Sequence, residues 1–589
     1  MNYKNYNLSF TTNNNKKNKR NELLAGEWCL DQTLTKIENN SKNLNISDKE
    51  NNQNIFNEAK FCENLYNRLL EDLIIHLNQN DKFKWNKRSW EIFLGPWLNR
   101  YVTIIYDRYS VINYVLKKYK INSVKLIRDK RFNLLQQNLL DFRIISQEDD
   151  WNLKLFSKLY LNYFDNKKIK KIFLKSKSSN KIFGEEKTIK IKFWKLKFNY
   201  LINYLIKKYN SLFNLIFYKT SINNKKSIFL LLLIKKKLFF PYNFNFKLPK
   251  IIYLSKKRNK KIYSKFKLTK VEIILREMLF ELMPYYYLES IKNLKYLNKN
   301  LILPPEKNVK IFTSNSLWLD GIFKFWLANA ISKNSKLNCF QHGCNYGVTK
   351  YSYAEKTEIK LSNSFYTWGW NNNKKNVKKF FSIRSLFQKE FKKNKTNKIL
   401  VVLSNCFKYV SYHNTGTFSS RRSLIYFDLI QKICAGSFND YKIYLRSPPH
   451  DKISFNIEKK IKKLFRQVKF DEGNKNFIDA CNNYKLILHT KDSTGFLETL
   501  ALNKPTMLIL PKKIYQNNFR KSALQDYKDL EKVNIVFNSF DKFNNFIKQK
   551  NFDIDTWWNA KKTQKVKNLF CNKYCRRTGS PLKEIYKII

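Results

Sequence analysis

Apolar residues recur at helical spacing in the first quarter of the chain. Between residues 55 and 140 they return every three or four positions, as at Leu65, Leu69 and Leu73. This spacing predicts several helices, with a break at Gly95-Pro96, where proline removes a backbone donor. Residues 1–20 and 38–54 are rich in Asn and Lys without any period, so we expect a frayed start and a surface loop.

After residue 270 the pattern changes to short apolar runs that alternate with helical stretches. A helix predicted over residues 271–283 ends at Pro284. Further helices are predicted over residues 317–332, 423–433 and 496–502. Strands are predicted at residues 22–29, 309–314, 336–341, 364–370, 399–404, 441–446, 484–490 and 506–510. Alternating strands and helices predict an α/β fold with two Rossmann-like lobes and a cleft between them.

The same pattern divides the chain into domains. We predict an N-terminal lobe over residues 1–385, which includes the helical region 55–140 and a basic insertion at 166–270. A C-terminal lobe follows over residues 398–575, and residues 576–589 form a tail. The Lys- and Asn-rich stretch 371–397 is the expected crossing between the lobes.

The formal net charge of the chain is +67. The excess is densest at residues 166–270, where Lys-rich segments hold only two acidic residues, Glu185 and Glu186. Such an excess is typical of proteins that meet nucleic acid or anionic membranes. It is equally compatible with compositional drift, because Lys, Asn, Ile, Phe and Tyr are all specified by A/T-rich codons.

The nine cysteines form no CxxC pair, which indicates reduced intracellular thiols rather than disulfides. No apolar run approaches the roughly 20 residues that a membrane-spanning helix needs. We therefore expect a cytoplasmic protein, whose basic first lobe could dock on the inner face of a membrane.

Histidine and glycine are scarce, which makes their positions informative. Three of the five histidines, His342, His450 and His489, follow predicted strands, at the edge where open α/β sheets bind ligands. Gly343 and Gly347 lie beside His342 and allow a sharp turn. His342 is therefore a candidate general base or phosphate contact. The alternative for any one histidine is an ordinary loop or core residue.

A second candidate site begins where the strand at residues 484–490 passes into a helix. Ser493 and Thr494 place hydroxyls at the helix start, Gly495 allows close approach, and free N–H groups there favour a phosphate. Lys491 and the strand-end Arg446 could add positive charge to a diphosphate. The alternative is a plain helix cap.

Several enzyme classes lose support because their motifs are absent. The sequence has no GxxxxGK[ST], no GxGxxG and no GxSxG. ATPase, classical dehydrogenase and serine hydrolase functions are therefore not favoured. No histidine pair has the spacing of a metal site.

Taken together, the motifs resemble a family of predicted bacterial transferases that is usually encoded among surface-polysaccharide genes. The C-terminal half is similar in turn to the CDP-glycerol glycerophosphotransferases and other GT-B glycosyltransferases. The motifs are Leu24–Cys29, Phe93–Leu98 with Tyr106–Arg108, Gln341–Gly347 with Glu355 and Glu358, Trp368–Trp370, Ser493–Ala501 with Asn503–Pro505, and Trp557-Trp558.

The resemblance implies a two-lobed, GT-B-like transferase that uses a nucleotide-diphosphate donor without an obligatory metal or other cofactor. His342 and Glu27 are the implied catalytic residues. The implied donor-binding residues are Arg446, Ser493, Thr494, Gly495 and Glu498. The residues implied to position the acceptor or the loop are Gly343, Asn345, Tyr346, Gly347, Glu355, Asp107 and Arg108.

The expected reaction is transfer of a sugar or alditol-phosphate group to a cell-surface glycan or its lipid-linked precursor. The sequence departs from the family pattern at Cys344, where glycine is usual. It departs again after Arg446, where the residues are Ser447-Pro-Pro-His450, so that His450 matches the Arg-x-His-Pro pattern of the glycerophosphotransferases only with a shift. The alternative function is a basic RNA- or DNA-binding protein without catalysis. The two functions can be distinguished by the positions of these residues, since a transferase requires His342 and Ser493 to converge on one cleft.

Overall fold

The computed structural model describes residues 5–12, 21–29, 52–81, 85–128, 134–174, 201, 204–205, 215–220, 258, 261–300, 308–386, 388–405, 407–414, 423–436, 438, 441–448, 457–512, 518–550 and 552–589. Most of the predicted basic insertion at 166–270 lies outside these residues, as does His450.

The C-terminal sheet has six parallel strands, in the spatial order β12-β11-β10-β13-β14-β15. Its strands are β10 (Lys398–Val402), β11 (Lys442–Arg446), β12 (Lys469–Phe470), β13 (Leu486–His489), β14 (Thr506–Ile509) and β15 (Val536–Phe537). This is the doubly wound order 3-2-1-4-5-6, in which the connections change direction between β10 and β13. Ligands bind such sheets outside the carboxyl ends of those two strands.

The middle sheet has five parallel strands in sequential order. They are β5 (Leu215–Tyr218), β6 (Lys310–Thr313), β7 (Lys336–Phe340), β8 (Ser364–Thr367) and β9 (Val377–Lys379). The mixed α/β fold with two Rossmann-like lobes is therefore confirmed, and the predicted strands from residue 309 to residue 510 all form, each shortened by one to three residues.

A third parallel sheet lies at the N-terminus, and the sequence predicted only one of its strands, at residues 22–29. It has the order β2-β1-β3-β4, with strands β1 (Tyr6–Ser9), β2 (Glu22–Leu24), β3 (Ile121–Ile127) and β4 (Lys170–Leu174). The expectation of a frayed start over residues 1–20 is wrong for β1, which lies between two neighbours and has a fully buried Leu8. Residues 1–385 thus contain two sheets.

Helices cover the faces of the sheets. They are α1 (Asn52–Asp81), α2 (Lys87–Lys118), α3 (Leu139–Ile145), α4 (Asp149–Tyr163), α5 (Lys270–Glu277), α6 (Leu279–Leu282), α7 (Tyr285–Leu288), α8 (Ile291–Asn300), α9 (Ser316–Leu319), α10 (Gly321–Ser332), α11 (Tyr353–Leu361), α12 (Ser423–Ala435), α13 (Ile457–Leu464), α14 (Phe477–Cys481), α15 (Thr494–Ala501), α16 (Lys521–Lys532), α17 (Phe540–Ile547), α18 (Ile554–Asn559), α19 (Lys561–Tyr574) and α20 (Pro581–Ile588), with single 3-10 turns at Glu27–Cys29 and Ile383–Ser385.

The helix break predicted at Gly95-Pro96 does not occur. Pro96 lies inside α2, which runs for 32 residues and is buried along most of its length. The missing hydrogen bond costs less than the apolar contacts that hold the helix in place. Gly95 is needed there because a Cβ would lie 2.8 Å from the Tyr66 hydroxyl.

Two predicted helices are each divided in two. The helix predicted over residues 271–283 forms α5 and α6, separated at Met278, and the one over residues 317–332 forms α9 and α10. Asp320 lies between α9 and α10, where its side chain accepts the Phe323 N–H at 3.1 Å and caps α10. An internal carboxylate cap of this kind restarts a helix that the apolar spacing alone would continue.

The C-terminal tail returns to the middle sheet. Ile585 of α20 packs with Phe312, Phe340 and Tyr366 in an apolar cluster. Within the described ranges, none of the helices combines the length and the apolar character that crossing a bilayer requires.

The N-terminal sheet is joined to the C-terminal sheet through a buried arginine. Arg108 of α2 donates to the Val410 carbonyl at 2.6 Å and pairs with Asp107 at 2.9 Å, and its Nε and Nη2 both donate to Asn152. The guanidinium also lies over the ring of Tyr409. Tyr409 and Val410 belong to the loop after β10, so α2 holds a loop of the C-terminal sheet.

Replacing Arg108 with methionine should destabilise the protein strongly. The change leaves the buried Asp107 without the positive charge beside it, a loss of about 3–5 kcal/mol for a buried pair. Thermal unfolding should show an apparent melting temperature lower by several degrees. Lys117→Met, at an exposed position of the same helix, is the matched control and should leave the melting temperature nearly unchanged. Equal melting temperatures for the two variants would contradict this interpretation.

Candidate functional site

A buried glutamine fixes the turn that follows β7. Gln341 donates through Nε2 to the Gly343 carbonyl at 2.9 Å. Its Oε1 accepts the Trp368 backbone N–H at 3.0 Å and the Trp370 indole N–H at 2.8 Å. The side-chain amide therefore ties the turn after β7 to the turn after β8, and His342 lies on a rigid support.

The turn itself needs left-handed backbone at two positions. Asn345 has φ 71° and Gly347 has φ 74°, and a Cβ at Gly347 would lie 2.6 Å from the Trp370 ring. Asparagine tolerates this conformation, whereas position 347 requires glycine for space as well. Cys344 is not among the residues with positive φ, which explains why the turn accepts a side chain where the family usually has glycine.

His342 faces a buried carboxylate. Its Nδ1 lies 3.2 Å from Glu358 Oε1, and the Glu358 side chain is fully buried whereas 23% of the His342 side chain is exposed. Glu358 also accepts the Trp318 indole N–H at 2.5 Å and the Tyr346 hydroxyl at 2.9 Å. Burial first, and Glu358 second, raise the pKa of Tyr346 well above its ordinary value, so Tyr346 remains a hydrogen-bond donor.

A second carboxylate of α11 joins the turn to the C-terminal lobe. Glu355 accepts the Gly347 N–H at 2.9 Å and pairs with Arg520 at 2.6 Å. Arg520 also donates to the Thr349 carbonyl at 3.0 Å, and Lys350 donates through its backbone to Asn518. Glu355 therefore connects the turn to Arg520 of the C-terminal lobe, and its role in positioning the acceptor or the loop stays a prediction.

The helix start at α15 meets the same turn. The Cys344 N–H donates to Thr494 Oγ1 at 3.2 Å, and a Cβ at Gly343 would lie 3.5 Å from that hydroxyl. Ser493 caps α15 by accepting the Phe496 N–H at 3.2 Å. The structure thus brings the His342 turn of the middle sheet onto the Ser493-Thr494 helix start of the C-terminal sheet.

Two other residues predicted to bind the donor have structural partners. Gly495 packs closely, since a Cβ there would lie 2.8 Å from the Phe477 ring. Glu498 pairs with Arg384 at 2.7 Å, which links α15 to the 3-10 turn at Ile383–Ser385, at the end of the N-terminal lobe. His489, at the end of β13, is fully buried, and burial lowers its pKa to about 3, so its ring is neutral near pH 7.

Arg446, at the end of β11, contacts residues of the C-terminal lobe itself. It pairs with Asp471 and donates to the Lys475 carbonyl at 2.7 Å. Asp471 in turn accepts the Tyr484 hydroxyl at 2.9 Å. These contacts hold the segment after β12, and they do not bring Arg446 to the contact between Cys344 and Thr494.

Glu27, Asp107 and Arg108 lie with the N-terminal sheet rather than with His342. Glu27 is in the 3-10 turn after β2, beside Trp28, whose ring lies 5.8 Å from that of Tyr409. Asp107 and Arg108 hold the loop after β10 through Val410. The structure therefore places Glu27, Asp107 and Arg108 near the loop after β10, apart from the His342 turn, which meets the helix start after β13.

Asp492 is a site residue that the sequence did not single out. Asp492 is buried next to the hydrogen bond between the Cys344 N–H and Thr494, which we call the interlobe contact. Cys344 Sγ lies 3.7 Å from the Asp492 carbonyl oxygen. Burial raises the pKa of Asp492 to about 6, although the nearby Tyr527 hydroxyl and Lys491 both lower it. Its position between a strand end and a helix cap was the available sequence signal. Arg520 gave none, because it meets the turn only through the tertiary fold.

No cluster of three or more His, Cys, Asp or Glu side chains suited to a metal ion occurs in the part of the chain that the structure describes. The expectation that no metal is obligatory stays a prediction.

Replacing Asp492 with asparagine should stabilise the protein at high pH. The carboxyl pKa is higher in the folded chain than in the unfolded chain, so ionisation opposes folding as the pH rises from about 4 to above 6. At pH 8 the cost is on the order of 3 kcal/mol, and it shrinks as the pH falls toward 4. Apparent melting temperatures of wild type and Asp492→Asn between pH 8 and pH 5 measure this difference. A gap that does not narrow with falling pH would contradict it.

A comparison with known proteins identifies the family to which the chain is similar. A family model described as the LIC12162 family transferase matches residues 6–589. A search of curated proteins found no match. Two crystal structures of TarM, one of an S. aureus mutant with Fondaparinux, alpha-GlcNAc-glycerol and UDP, align at 16% and 15% identity with a TM-score of 0.30. Each alignment covers 50% of this chain and 57% of the TarM chain.

At that TM-score we draw no conclusion from TarM. The family model, in contrast, spans nearly all of the chain and describes an enzyme, so the alternative of a protein without catalysis is set aside. This chain belongs to the LIC12162 family of transferases.

Proposed function

We propose that the chain transfers a sugar or alditol-phosphate group from a nucleotide-activated donor to a cell-surface glycan or its lipid-linked precursor. The donor diphosphate would lie at the start of α15, and His342 would act as general base on the acceptor hydroxyl. The observation that carries this proposal is the hydrogen bond from the Cys344 N–H to Thr494, because it places the His342 turn next to the helix start.

The helix start has the chemistry that a diphosphate requires. Ser493, Thr494 and Lys491 are all half-buried, so part of each remains accessible. The N–H groups and positive dipole end of a helix favour negative charge, and α15 begins beyond the carboxyl end of β13, beside the point where the sheet order reverses. Stabilising the leaving diphosphate there lowers the barrier for transfer.

Cytoplasmic location and docking of the basic first lobe on an anionic membrane surface remain part of the proposal. The residues on which docking would depend are mostly those of the basic insertion, outside the described ranges.

His342→Ala should lower kcat/KM for transfer by about 10²- to 10⁴-fold, the usual contribution of a general base. Donor turnover can be followed with CDP-glycerol, UDP-N-acetylglucosamine and GDP-mannose. His76→Ala is the matched control, because His76 lies on α1 beside Phe280, apart from the interlobe contact. Unchanged turnover in a folded His342→Ala protein would refute the catalytic role.

Ser493→Ala should weaken binding of UDP, CDP or GDP by about tenfold, because the serine hydroxyl can donate to a phosphate while it caps α15. Titration calorimetry with each nucleotide measures the change. Ser539→Ala is the matched control, since Ser539 caps α17 in the same lobe by accepting the Lys542 N–H. Both variants lose a cap worth about 1 kcal/mol, but only Ser493→Ala should bind nucleotide more weakly. Equal affinities in the two variants would contradict the donor site.

A further inference from the structure

We propose that Glu358 is the positioning residue of the reaction: it holds His342 in the tautomer and orientation in which Nε2 takes the acceptor proton. This inference rests on the proposed function, in which His342 is the base. It assigns to one buried carboxylate a role that the motif around Gln341–Gly347 does not contain.

Residues other than His342 fix the position of the Glu358 carboxylate. Glu358 is fully buried on α11, and its Oε1 accepts the Trp318 indole N–H while Oε2 accepts the Tyr346 hydroxyl. Trp318 comes from α9 and Tyr346 from the turn after β7. Donors from two elements outside its own helix therefore fix the plane of the carboxylate, and its Oε1 stands 3.2 Å from His342 Nδ1.

The exposure of the imidazole matches this role. Nδ1 is buried and lies 3.2 Å from Glu358 without forming a hydrogen bond of standard geometry, although 23% of the His342 side chain is exposed. The accessible part of the ring is therefore the part away from Glu358. An acceptor can approach that part of the ring without disturbing the contact with the carboxylate.

The contact also assigns the tautomer. A lone pair on Nδ1 would face a carboxylate oxygen at 3.2 Å and be repelled by it, so the contact favours the neutral imidazole that carries its proton on Nδ1 and keeps the lone pair on Nε2. This assignment follows from the contact, as tautomer assignments do. Without Glu358, both tautomers would be accessible and the ring would lose its orientation.

The proton and the electrons then balance as follows. Nε2 takes the acceptor hydroxyl proton while the acceptor oxygen bonds to the transferred carbon or phosphorus. The bond from that atom to the nucleotide breaks, and its electron pair leaves on a phosphate oxygen. The imidazolium formed is stabilised by the negative charge of Glu358 until it releases the proton to solvent.

Glu358→Gln keeps the shape of the side chain and removes its charge. We expect kcat to fall by about 10- to 100-fold, less than in His342→Ala, with KM little changed. In the double variant His342→Ala/Glu358→Gln, kcat should equal that of His342→Ala alone, since the two residues act as one unit.

Glu91→Gln is the matched control. Glu91 is also a buried glutamate, and it accepts from the Tyr66 hydroxyl and pairs with Lys360 of α11 at 2.5 Å. The variant should leave kcat unchanged. A Glu358→Gln enzyme with the wild-type kcat, or a further loss in the double variant, would overturn the inference.

A second readout does not depend on activity. The five histidines can be labelled with ¹⁵N and His342 identified by its absence from His342→Ala spectra. Wild type should show the Nδ1–H tautomer at His342, and Glu358→Gln should show a mixture. The mixture in Glu358→Gln together with absent transfer by wild type would refute the proposed function and leave standing only the effect of Glu358 on the His342 tautomer. A wild-type His342 with its proton on Nε2 would overturn the positioning role even in an active enzyme.

Discussion

The structure of the site depends on two buried carboxylates that lie three residues apart on one helix. Glu355 and Glu358 of α11 share a face, as residues at that spacing do, and both point at the turn after β7. A buried carboxylate is tolerated only when donors surround it. The donors here come from the turn, from Trp318 and, through Arg520, from the C-terminal lobe. Satisfying the two carboxylates therefore fixes the turn and the neighbouring lobe at once.

Two of the contacts that hold the C-terminal sheet involve loops at the carboxyl ends of its strands. On one side the turn after β7 meets the start of α15. On the other side the loop after β10 is held by the N-terminal sheet, where Tyr409 donates to Asp149 at 2.6 Å and exchanges two hydrogen bonds with Gln147. Because β10 and β13 flank the reversal of strand order, both contacts lie at the crevice where sheets of this order bind ligands.

The strands that the sequence predicted correctly are those whose burial is visible in the local pattern of apolar residues. Strands of the middle and C-terminal sheets are covered on both faces, so they appear as short apolar runs that are easily recognised. Strand β1 has only four residues and polar neighbours, and the burial of its Leu8 arises from strands that are far away in the chain. The helix break predicted at Gly95-Pro96 does not form for the same reason. Tertiary packing around α2 outweighs the local tendency of proline to end a helix. Glu358 was visible as part of the motif, but its contact with His342 was not, since the contact requires the fold of the turn.

The interlobe hydrogen bond leaves the helix start ready for an anion. A hydroxyl has one proton to donate and two lone pairs that accept. Thr494 uses a lone pair for the Cys344 N–H, and Ser493 uses one for the Phe496 N–H, so in both contacts the hydroxyl is the acceptor. Phosphate oxygens, in contrast, are acceptors and need donors. A diphosphate can therefore receive both hydroxyl protons while these two protein hydrogen bonds persist, and the same two residues can hold the lobes together and bind the donor.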